Sequence, residues 1–586
     1  MDTPGGIVAD MTEAENGPSR RVVIVGGVGG GMSAAARLRR LDEDAEIIVL
    51  ERGPHVSFAN CGLPYHVSGE IDEERRLLVQ TPERLRAALA IDVRTGHEAI
   101  DLDTARHVVT VGTGTDDYEL EYDALILSPG AQALRPPMNG LESPRVHTLR
   151  TVGDAVGLRA LVDDGARRAV VLGGGFIGLE AAEALAHQGV DTTVVELAPH
   201  VLPPLEPEIA QLVTGELRRL GVDVRNGVAA VAVEHDEDAD TVVLADGTKL
   251  PADLVVLSVG VRPDTALFEA AGIVTERGAM VVDEHGRTNV PGIYAVGDAT
   301  VSTDAVTGAR RPVALAGPAN RAGRLVADAI VNPDRARPIP HPTGTAIVRV
   351  GDLTAAMTGA NRRALDDAGI DYTTLHLHPN QHAGYFPGAT PVHLMLHMAS
   401  DDGRLLGAQA VGTDGVDKRI DVLATAIRAG MTGPDLIDLD LAYSPPYGSA
   451  KDPVNFAGMV AENVLEGTLR LWYADDLEAV RASSLILDTR SVREFASGHV
   501  KGALNIPHTE LRERLDEVRE AAAGRPVRVL CQSGVRSAIA HRVLDHAGFD
   551  SASLSGGMQT LRAVLGDHAA DVLVVPDNVS PEGASR

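Results

Sequence analysis

The sequence predicts an α/β protein of several domains, two of which are Rossmann-like units. The chain has 586 residues, more than one hydrophobic core organises, and this length predicts about four domains of roughly 150 residues each. A short apolar strand, a glycine turn and an alanine-rich helix follow one another twice, at 21–36 and 169–182. A further compact alternation of strands and helices occupies about 472 to 575.

The composition restricts the classes of partner. The chain carries 53 basic and 82 acidic side chains, a formal charge of −29, which argues against nucleic acid or an anionic membrane as a partner. No apolar stretch approaches the ~18 residues of a membrane span. Residues 1–20 lack the basic start and apolar run of a signal peptide, so we expect a disordered tail and a cytoplasmic protein. The 2 cysteines fit a reducing compartment.

The first glycine unit runs from Gly26 to Glu51. Its turn reads Gly-Gly-Val-Gly-Gly-Gly and ends at Gly31, and Glu51 closes the next strand. In such a unit the unpaired N–H groups of the helix start bind a pyrophosphate, while the acid binds ribose hydroxyls. Val28 stands where the usual pattern has its second glycine, so we expect the backbone to approach the phosphates slightly differently.

The second unit keeps all three glycines of the pattern, Gly173, Gly175 and Gly178, and its next strand ends in Glu196. A glycine turn without a ligand is an alternative for one such motif, but two in one chain favour two dinucleotide sites. The carboxylate of Glu196 would accept hydrogen bonds from a free ribose 2′-hydroxyl and repel a 2′-phosphate. It therefore favours NADH over NADPH.

A third motif, a strand running into the turn Gly297-Asp298-Ala299, completes the pattern together with Ser-Pro-Gly130-Ala. An aspartate in an isolated turn of this kind is often only turn-forming. The order of the three motifs, however, resembles the two-dinucleotide flavoprotein disulfide reductase family over residues 21 to 465. The resemblance implies FAD in the first unit and the nicotinamide nucleotide in the second, with hydride passing Phe176.

The resemblance also implies a domain plan: an FAD-binding domain of residues 21–150 and 275–340, an inserted NAD(P)H-binding domain of residues 151–274, and an α+β dimer-interface domain of residues 341–465. A homodimer follows from that plan. The implied FAD residues are Gly26, Gly31, Glu51, Arg52, Gly130 and Asp298. The implied nicotinamide-nucleotide residues are Gly173, Gly175, Phe176, Gly178, Glu196 and Gly260.

Cys61 is the candidate redox residue. It lies in Ser57-Phe-Ala-Asn60-Cys61-Gly-Leu-Pro-Tyr, at the start of a predicted helix whose dipole would stabilise a thiolate. A free cysteine without context is more often an inert small hydrophobic residue, but flavin motifs on both sides favour a redox role. Most glutathione-reductase-like relatives carry a second cysteine five positions on, where this chain has His66. We therefore expect no internal disulfide.

A single redox cysteine leaves two chemistries, a sulfenic acid that handles oxygen or peroxide and a mixed disulfide with a small thiol. Peroxidase and oxidase relatives typically carry a histidine in the first glycine turn, and residues 26–31 contain none. The cysteine segment instead resembles that of coenzyme A disulfide reductases. This resemblance implies CoA as substrate or bound adduct and four CoA-binding residues, although a solvated helix face explains the two arginines equally well: Arg37, Arg40, Ser57 and Asn60.

Tyr385 and Tyr443 are candidate catalytic residues of the dimer-interface region. In relatives the partner subunit supplies such tyrosines, and a phenol near a departing thiolate can act as a general acid. The alternative is a tyrosine that only packs in a proline-rich turn, and for Tyr447 the two interpretations are balanced.

Residues 472–575 resemble a rhodanese domain in three segments, 487–490, 494–507 and 529–538. Cys531 follows a strand and opens a loop of six residues, so we expect backbone N–H groups and Arg536 to favour a thiolate or persulfide. One departure is the segment 556–561, where relatives often have tryptophan.

Together these observations predict an FAD-dependent, NADH-using reductase of CoA disulfide, CoA persulfide or polysulfide, with Cys531 relaying sulfur. Three alternatives stay open. They are an NADH oxidase that makes peroxide or water, a non-enzymatic flavoprotein redox sensor, and a thiosulfate sulfurtransferase with a passive flavin body.

Overall fold

The computed structural model describes residues 19–574. All but the last two residues of the predicted disordered tail therefore lie outside the described residues, as does the final residue of the predicted rhodanese domain. Within residues 19–574 no helix is both long and apolar enough to cross a membrane.

Residues 19–150 begin a parallel sheet and add a small antiparallel one. The helices are α1 (Gly29–Leu41), α2 (Leu63–Val67) and α3 (Pro82–Leu89). The strands are β1 (Arg21–Val25), β2 (Glu46–Glu51), β3 (Asp92–Thr95), β4 (Glu98–Asp103), β5 (Val108–Gly112), β6 (Asp117–Glu121), β7 (Ala124–Leu127), β8 (Ala131–Ala133) and β9 (Val146–His147).

Residues 151–274, together with β9, form the second parallel sheet, in the order β12-β11-β10-β16-β9, and they also form a three-stranded sheet β13-β14-β15. The helices are α4 (Val152–Asp163), α5 (Phe176–His187), α6 (Pro207–Arg219) and α7 (Ala266–Ala270). The strands are β10 (Arg168–Leu172), β11 (Asp191–Glu196), β12 (Asp223–Asn226), β13 (Ala230–Glu234), β14 (Asp240–Leu244), β15 (Lys249–Ala252), β16 (Leu254–Leu257) and β17 (Val261–Pro263).

Residues 275–340 return to the first sheet, which has the order β20-β7-β1-β2-β3. This segment contains β18 (Thr275–Glu276), β19 (Ala279–Met280), β20 (Ile293–Ala295), β21 (Val301–Thr303), β22 (Arg310–Pro312) and α8 (Ala316–Val331). Helix α8 packs closely on α1, since a Cβ on Gly323 would lie 2.1 Å from the carbonyl oxygen of Gly30. This packing brings the Gly297-Asp298 turn beside the first glycine turn.

Residues 341–465 form an antiparallel sheet, in the order β23-β24-β27-β26-β25, that is covered by helices. The elements are β23 (Ala346–Val350), β24 (Leu353–Gly359), α9 (Arg362–Asp367), β25 (Tyr372–Leu377), β26 (His393–Ala399), β27 (Leu405–Gly412), α10 (Val416–Arg428) and α11 (Pro453–Leu465).

The C-terminal domain is built on a third parallel sheet, in the order β28-β33-β32-β29-β31. Its strands are β28 (Leu471–Trp472), β29 (Leu485–Asp488), β30 (His499–Val500), β31 (Leu504–Asn505), β32 (Val527–Leu530), β33 (Ser551–Leu554) and β34 (Leu573–Val574). Its helices are α12 (Leu477–Ser483), α13 (Val492–Ala496), α14 (Leu515–Ala522), α15 (Val535–His546), α16 (Gly557–Leu565) and α17 (Ala569–Val572).

The apolar runs of the central strands explain why the sheets form where they do. Val22, Val23 and Ile24 of β1 are fully buried, as expected of a parallel strand covered on both faces. The predicted fold class, two Rossmann-like sheets, an α+β domain and a C-terminal α/β domain, is confirmed.

Candidate active site

Both glycine turns face one cavity of about 2290 Å³. A Cβ on Gly31 would lie 2.0 Å from the carbonyl oxygen of Gly26, and a Cβ on Gly178 would lie 1.9 Å from that of Gly173. By contrast, a Cβ on Gly175 would have no atom within 4 Å. Each turn is closed against its own sheet and open toward the cavity, which suits an extended ligand with phosphates at the two helix starts.

The two acids occupy equivalent positions in the two units. Glu51 accepts a hydrogen bond from the N–H of Gly27 at 2.9 Å, and Glu196 accepts one from the N–H of Gly174 at 2.6 Å. Both carboxylates line the cavity. Because each oxygen keeps a further lone pair, each acid can still accept from a ribose hydroxyl. The residues present therefore fit two dinucleotides.

Val28 does not change the register of the first turn. Helix α1 begins three residues after Gly26, and α5 begins three residues after Gly173. Val28 and Gly175 are thus the equivalent residues before each helix, and both line the cavity. Their backbone angles differ, with φ −113° and ψ −132° at Val28 against φ −78° and ψ −174° at Gly175. The altered approach of the backbone to the phosphates at Val28 stays a prediction.

The remaining predicted dinucleotide residues surround the same cavity. Gly130, Asp298, Phe176 and Gly260 line it, and Arg52 lines it while donating to Asp264 at 2.6 Å. Burial raises the pKa of Asp298. Gly31 and Gly178 do not line the cavity, because they pack against the first glycine of their own turns.

Cys61 is exposed to this cavity, in a 3₁₀ turn of residues Asn60–Gly62. Partial burial, followed by the charges of Glu180 and Asp298, raises the pKa of the Cys61 thiol. The polypeptide therefore raises the pKa of Cys61, whereas the predicted helix dipole would lower it. The helix that follows has only five residues, and two acids oppose its small dipole.

Glu180 is a site residue that motif reasoning did not identify. It lies on α5, one turn after Phe176, and both side chains line the cavity that contains Cys61. Burial and the neighbouring Glu183 raise the pKa of Glu180 to about 7. The only sequence signal was its i+4 spacing from Phe176, which places the two on one helix face.

His66, which occupies the position of a second cysteine in glutathione-reductase-like proteins, points into the protein interior. Its side chain is buried, and its Nδ1 lies 2.8 Å from the carbonyl oxygen of Ile71. Cys61 and Cys531 are both free thiols.

The four predicted CoA residues do not all meet at the cavity. Asn60 lines it, and Ser57 lies three residues earlier with a left-handed φ of 48°. Arg37 pairs with Asp328 of α8 at 2.7 Å, and Arg40 is exposed and donates to the Ala36 carbonyl. Neither arginine lines the cavity. A phosphate bound at Arg37 would have to share it with Asp328.

Tyr385 and Tyr443 meet each other outside the cavity of their own chain. Their hydroxyl oxygens are 2.9 Å apart, and the residues are 76% and 48% exposed. The hydrogen bond to Tyr443 raises the pKa of Tyr385. Tyr447 is also exposed.

Cys531 directly follows β32, and its side chain is fully buried. Its Sγ accepts a hydrogen bond from the N–H of Gly534 at 3.2 Å and from the hydroxyl of Ser537 at 3.4 Å. Arg536 forms a bidentate pair with Glu494, at 2.6 and 2.8 Å. Ser537 is a second residue that motif reasoning missed, and one backbone N–H rather than a ring of them reaches the sulfur.

Comparison with known proteins agrees with this geometry. Residues 20–319 match the model of the pyridine nucleotide-disulphide oxidoreductase family. The chain belongs to this family. Residues 345–453 match its dimerisation domain, and residues 471–563 match the rhodanese-like domain. The predicted enzyme class, with a flavin and a pyridine nucleotide, is confirmed, and so is the predicted C-terminal domain.

Individual relatives match three quarters or more of this chain. The coenzyme A disulfide reductase of Staphylococcus haemolyticus is 34% identical over 76% of this chain and 100% of its own length. The structure of reduced Bacillus anthracis CoADR-RHD is 40% identical over 95% of this chain and 99% of that one, with a TM-score of 0.92. A NAD-dependent persulfide reductase from A. fulgidus is 38% identical over 92% of this chain and 99% of that one, with a TM-score of 0.86.

Proposed function

We propose that the enzyme reduces CoA-linked disulfide or persulfide with NADH, through FAD and Cys61, and that Cys531 carries sulfur for the same chemistry. One observation carries the proposal. Cys61 is the only thiol at a cavity that both dinucleotide turns line. His66, which stands in the position of a second cysteine, is hydrogen-bonded to a backbone carbonyl. The relatives named for CoA disulfide and for persulfide support the substrate class.

The chemistry assigned to the chain is thiol–disulfide exchange. The Cys61 thiolate attacks one sulfur of the substrate, which breaks the S–S bond and forms a Cys61 mixed disulfide while the other sulfur leaves as a thiolate. Bound FAD would pass two electrons from NADH to that mixed disulfide, so that Cys61 and the second thiol are regained. Glu180, with its pKa of about 7, can take up or release a proton beside Cys61.

We further propose that the tyrosine pair acts across a homodimer. Tyr385 and Tyr443 are exposed in one chain and lie outside its cavity, so their hydroxyls are free to enter a partner's site. There a phenol can protonate the departing thiolate. Each subunit would supply the FAD residues Gly26, Glu51 and Asp298 of its own site, and the partner subunit would supply the tyrosine that acts as general acid.

For the nicotinamide nucleotide we propose NADH. Both oxygens of Glu196 are held by backbone N–H groups, at 2.6 Å from Gly174 and 2.7 Å from Ala198. A fixed carboxylate at the ribose position repels a 2′-phosphate. For CoA we propose Asn60 and Ser57 beside the thiol, with Arg37 and Arg40 for the nucleotide phosphates.

Steady-state turnover tests the proposed function. NADH oxidation with CoA disulfide or CoA persulfide should release CoA thiol in proportion to the NADH consumed, with little oxygen uptake. The Cys61→Ser variant should lose this activity and keep its bound flavin. Turnover that consumes oxygen and releases peroxide or water would favour the oxidase alternative, whereas undiminished activity in Cys61→Ser would reject the proposal.

A further inference from the structure

Two histidines of the dimerisation domain meet the rhodanese domain at a buried polar contact. His376 of β25 and His378, two residues later, face Ser555 and Thr560. The side chain of His376 is 7% exposed, and Ser555 and Thr560 are each 3% exposed. We call these four residues the histidine junction.

His376 joins three domains through a consistent set of hydrogen bonds. Its Nε2 lies 2.8 Å from Glu208 of α6, and its Nδ1 lies 2.8 Å from Ser555 Oγ. An ionised carboxylate only accepts, so Nε2 carries the ring proton and Nδ1 accepts from the Ser555 hydroxyl. The Ser555 oxygen in turn accepts from the backbone N–H of His376 at 3.1 Å. A neutral imidazole therefore satisfies every partner.

His378 makes the second contact. Its Nε2 lies 2.8 Å from Thr560 Oγ1, and its Nδ1 lies 2.8 Å from Nδ1 of His393 on β26. Two facing Nδ1 atoms can share one proton but cannot both carry one. Burial and His393 hold the pKa of His378 well below its usual value. His378 is thus a neutral group that anchors Thr560.

The histidine junction continues to the sulfur of Cys531 through two glycines. A Cβ on Gly556 would lie 2.7 Å from Cβ of His376 and 2.9 Å from Nε2 of His378, so the turn and the histidines are in direct contact. A Cβ on Gly534 would lie 3.6 Å from the backbone nitrogen of Gly556. Gly534 is the residue whose N–H donates to Cys531 Sγ.

A second backbone link ties the same turn to the cysteine. The N–H of Met558 donates to the carbonyl oxygen of Cys531 at 2.8 Å. A Cβ on Gly557 would lie 2.5 Å from that carbonyl. The start of α16, residues 556–558, therefore supports the Cys531 loop on one side and contacts the histidines on the other.

We propose that His376 and His378 are positioning residues for Cys531: they dock the rhodanese domain on the reductase and hold the turn against which Gly534 presents its N–H to the sulfur. The inference rests on the proposed sulfur-carrying role of Cys531. The loop around Cys531 then keeps its hydrogen-bonded geometry only while the rhodanese domain is docked on the reductase. It follows that a small thiol or persulfide, rather than a moving domain, carries sulfur away from Cys531.

Substitutions on the reductase side test this inference, because those residues lie outside the rhodanese domain. In His378→Leu the bond to Thr560 is lost, whereas in His378→Gln the side-chain amide can replace Nε2. The assay is thiocyanate formation from thiosulfate and cyanide by the holoenzyme, with kcat and KM measured separately. NADH-dependent reduction of CoA disulfide by the same preparations is the control for folding.

We expect His378→Leu to lower the kcat of thiocyanate formation by about tenfold, the size of one buried hydrogen bond. The KM for thiosulfate and the NADH-dependent activity should stay near those of the parent, and His378→Gln should recover most of the loss. Full kcat in His378→Leu would overturn the inference, as would equal loss in both variants. If His378→Leu also loses NADH-dependent activity, Thr560→Val tests the inference in its place, because it removes the same hydrogen bond from the rhodanese side.

The Cys531→Ala variant separates this inference from the proposed function on which it rests. We expect it to abolish thiocyanate formation. If thiocyanate formation persists, Cys531 carries no sulfur and both statements fail. If it is abolished while His378→Leu and Thr560→Val both keep full kcat, the docking inference alone fails.

Discussion

At the scale of single residues, the reactivity of Cys61 depends on the acids around it. Partial burial, Glu180 and Asp298 raise the pKa of its thiol. Replacing a negative neighbour by a neutral one favours the thiolate. We therefore predict that Glu180→Gln lowers the pKa of Cys61 and speeds its alkylation by iodoacetamide severalfold at pH 7. Peptide mass spectrometry over a pH series measures the rate at Cys61 alone.

Glu183→Gln is the matched control for that prediction. Glu183 lies on the same helix but does not act directly on Cys61, although its charge raises the pKa of Glu180. Its substitution should therefore change the alkylation profile of Cys61 less than Glu180→Gln does. A profile in Glu180→Gln that is unchanged, or moved to higher pH, would contradict the electrostatic account of this site.

Glu196 gives a second prediction for a single residue. Its carboxylate lines the cavity where we propose that the ribose binds, and the next residue, Leu197, is 71% exposed. The double substitution Glu196→Ala/Leu197→Arg removes a repelling charge and adds one that pairs with phosphate. It should change the ratio of kcat/KM for NADPH over NADH by at least about tenfold, the value of one hydrogen bond to a charged group. An unchanged ratio would refute the role of Glu196.

Sequence spacing predicts some residues well and cannot predict others. The positions of Gly26, Glu51, Gly173 and Glu196 at one cavity could be predicted, because a strand, a turn and a helix fix their separation along the chain. Glu180 and Ser537 were missed because their roles depend on which side chains of other elements lie nearby.

At the scale of elements, one ion pair joins two helices of the rhodanese domain. Arg536 on α15 binds Glu494 on α13, and this hydrogen bond is the main reason that the pKa of Glu494 falls to about 2. A lowered carboxyl pKa stabilises the fold above the unfolded pKa, and this contribution is lost as the pH falls toward the folded pKa. The pair is partly exposed, so we expect it to contribute less than about 1 kcal/mol.

The corresponding prediction concerns acid stability. Glu494→Gln should lower the free energy of unfolding of the rhodanese domain slightly at pH 7, and the difference from the parent should shrink between pH 5 and pH 3. Urea unfolding followed by the fluorescence of Trp472 measures it, since Trp472 is the chain's single tryptophan and is buried in this domain. A difference in the free energy of unfolding that grows as the pH falls would contradict this prediction, because it would mean that folding raises the pKa of Glu494.

The elements themselves follow from local patterns to different degrees. The buried valine-rich strands and the alanine-rich α1 and α5 are predictable from periodicity and length alone. A helix is also predicted after Cys61, but its shortness is not, because the five residues of α2 contain too few turns for a pattern to fix the bounds. The predicted dipole effect on Cys61 is opposed by burial and by the charges of Glu180 and Asp298, which raise the pKa of the thiol and which no local pattern predicts.

At the scale of the whole molecule, the proposed homodimer makes a complementation prediction. Cys61→Ser subunits keep the tyrosines, and Tyr385→Phe/Tyr443→Phe subunits keep the cysteine. If the tyrosines act across the dimer, mixed dimers regain one working site out of two, although each parent is impaired. Activity measured after subunit exchange tests this. Mixed dimers that show only the average of the two parents would place the tyrosines in their own chain's site.

The order of the domains can be predicted from the sequence, but the contacts between them cannot. The glycine motifs and the segment around Cys531 mark separate units because each is a local pattern. His376 of the histidine junction is hydrogen-bonded to Glu208 and to Ser555, which lie 168 and 179 positions away from it in the sequence. No spacing rule connects such residues, so only the folded arrangement reveals them.

The central claim is that Cys61 forms a mixed disulfide with CoA that NADH resolves. Mass measurement of the Cys61 peptide, after incubation of the holoenzyme with CoA disulfide and acid quenching, tests this most directly. We predict a CoA-sized adduct on Cys61 that disappears when NADH is added before the quench. An unmodified Cys61 peptide, or an adduct that persists with excess NADH, would contradict the account.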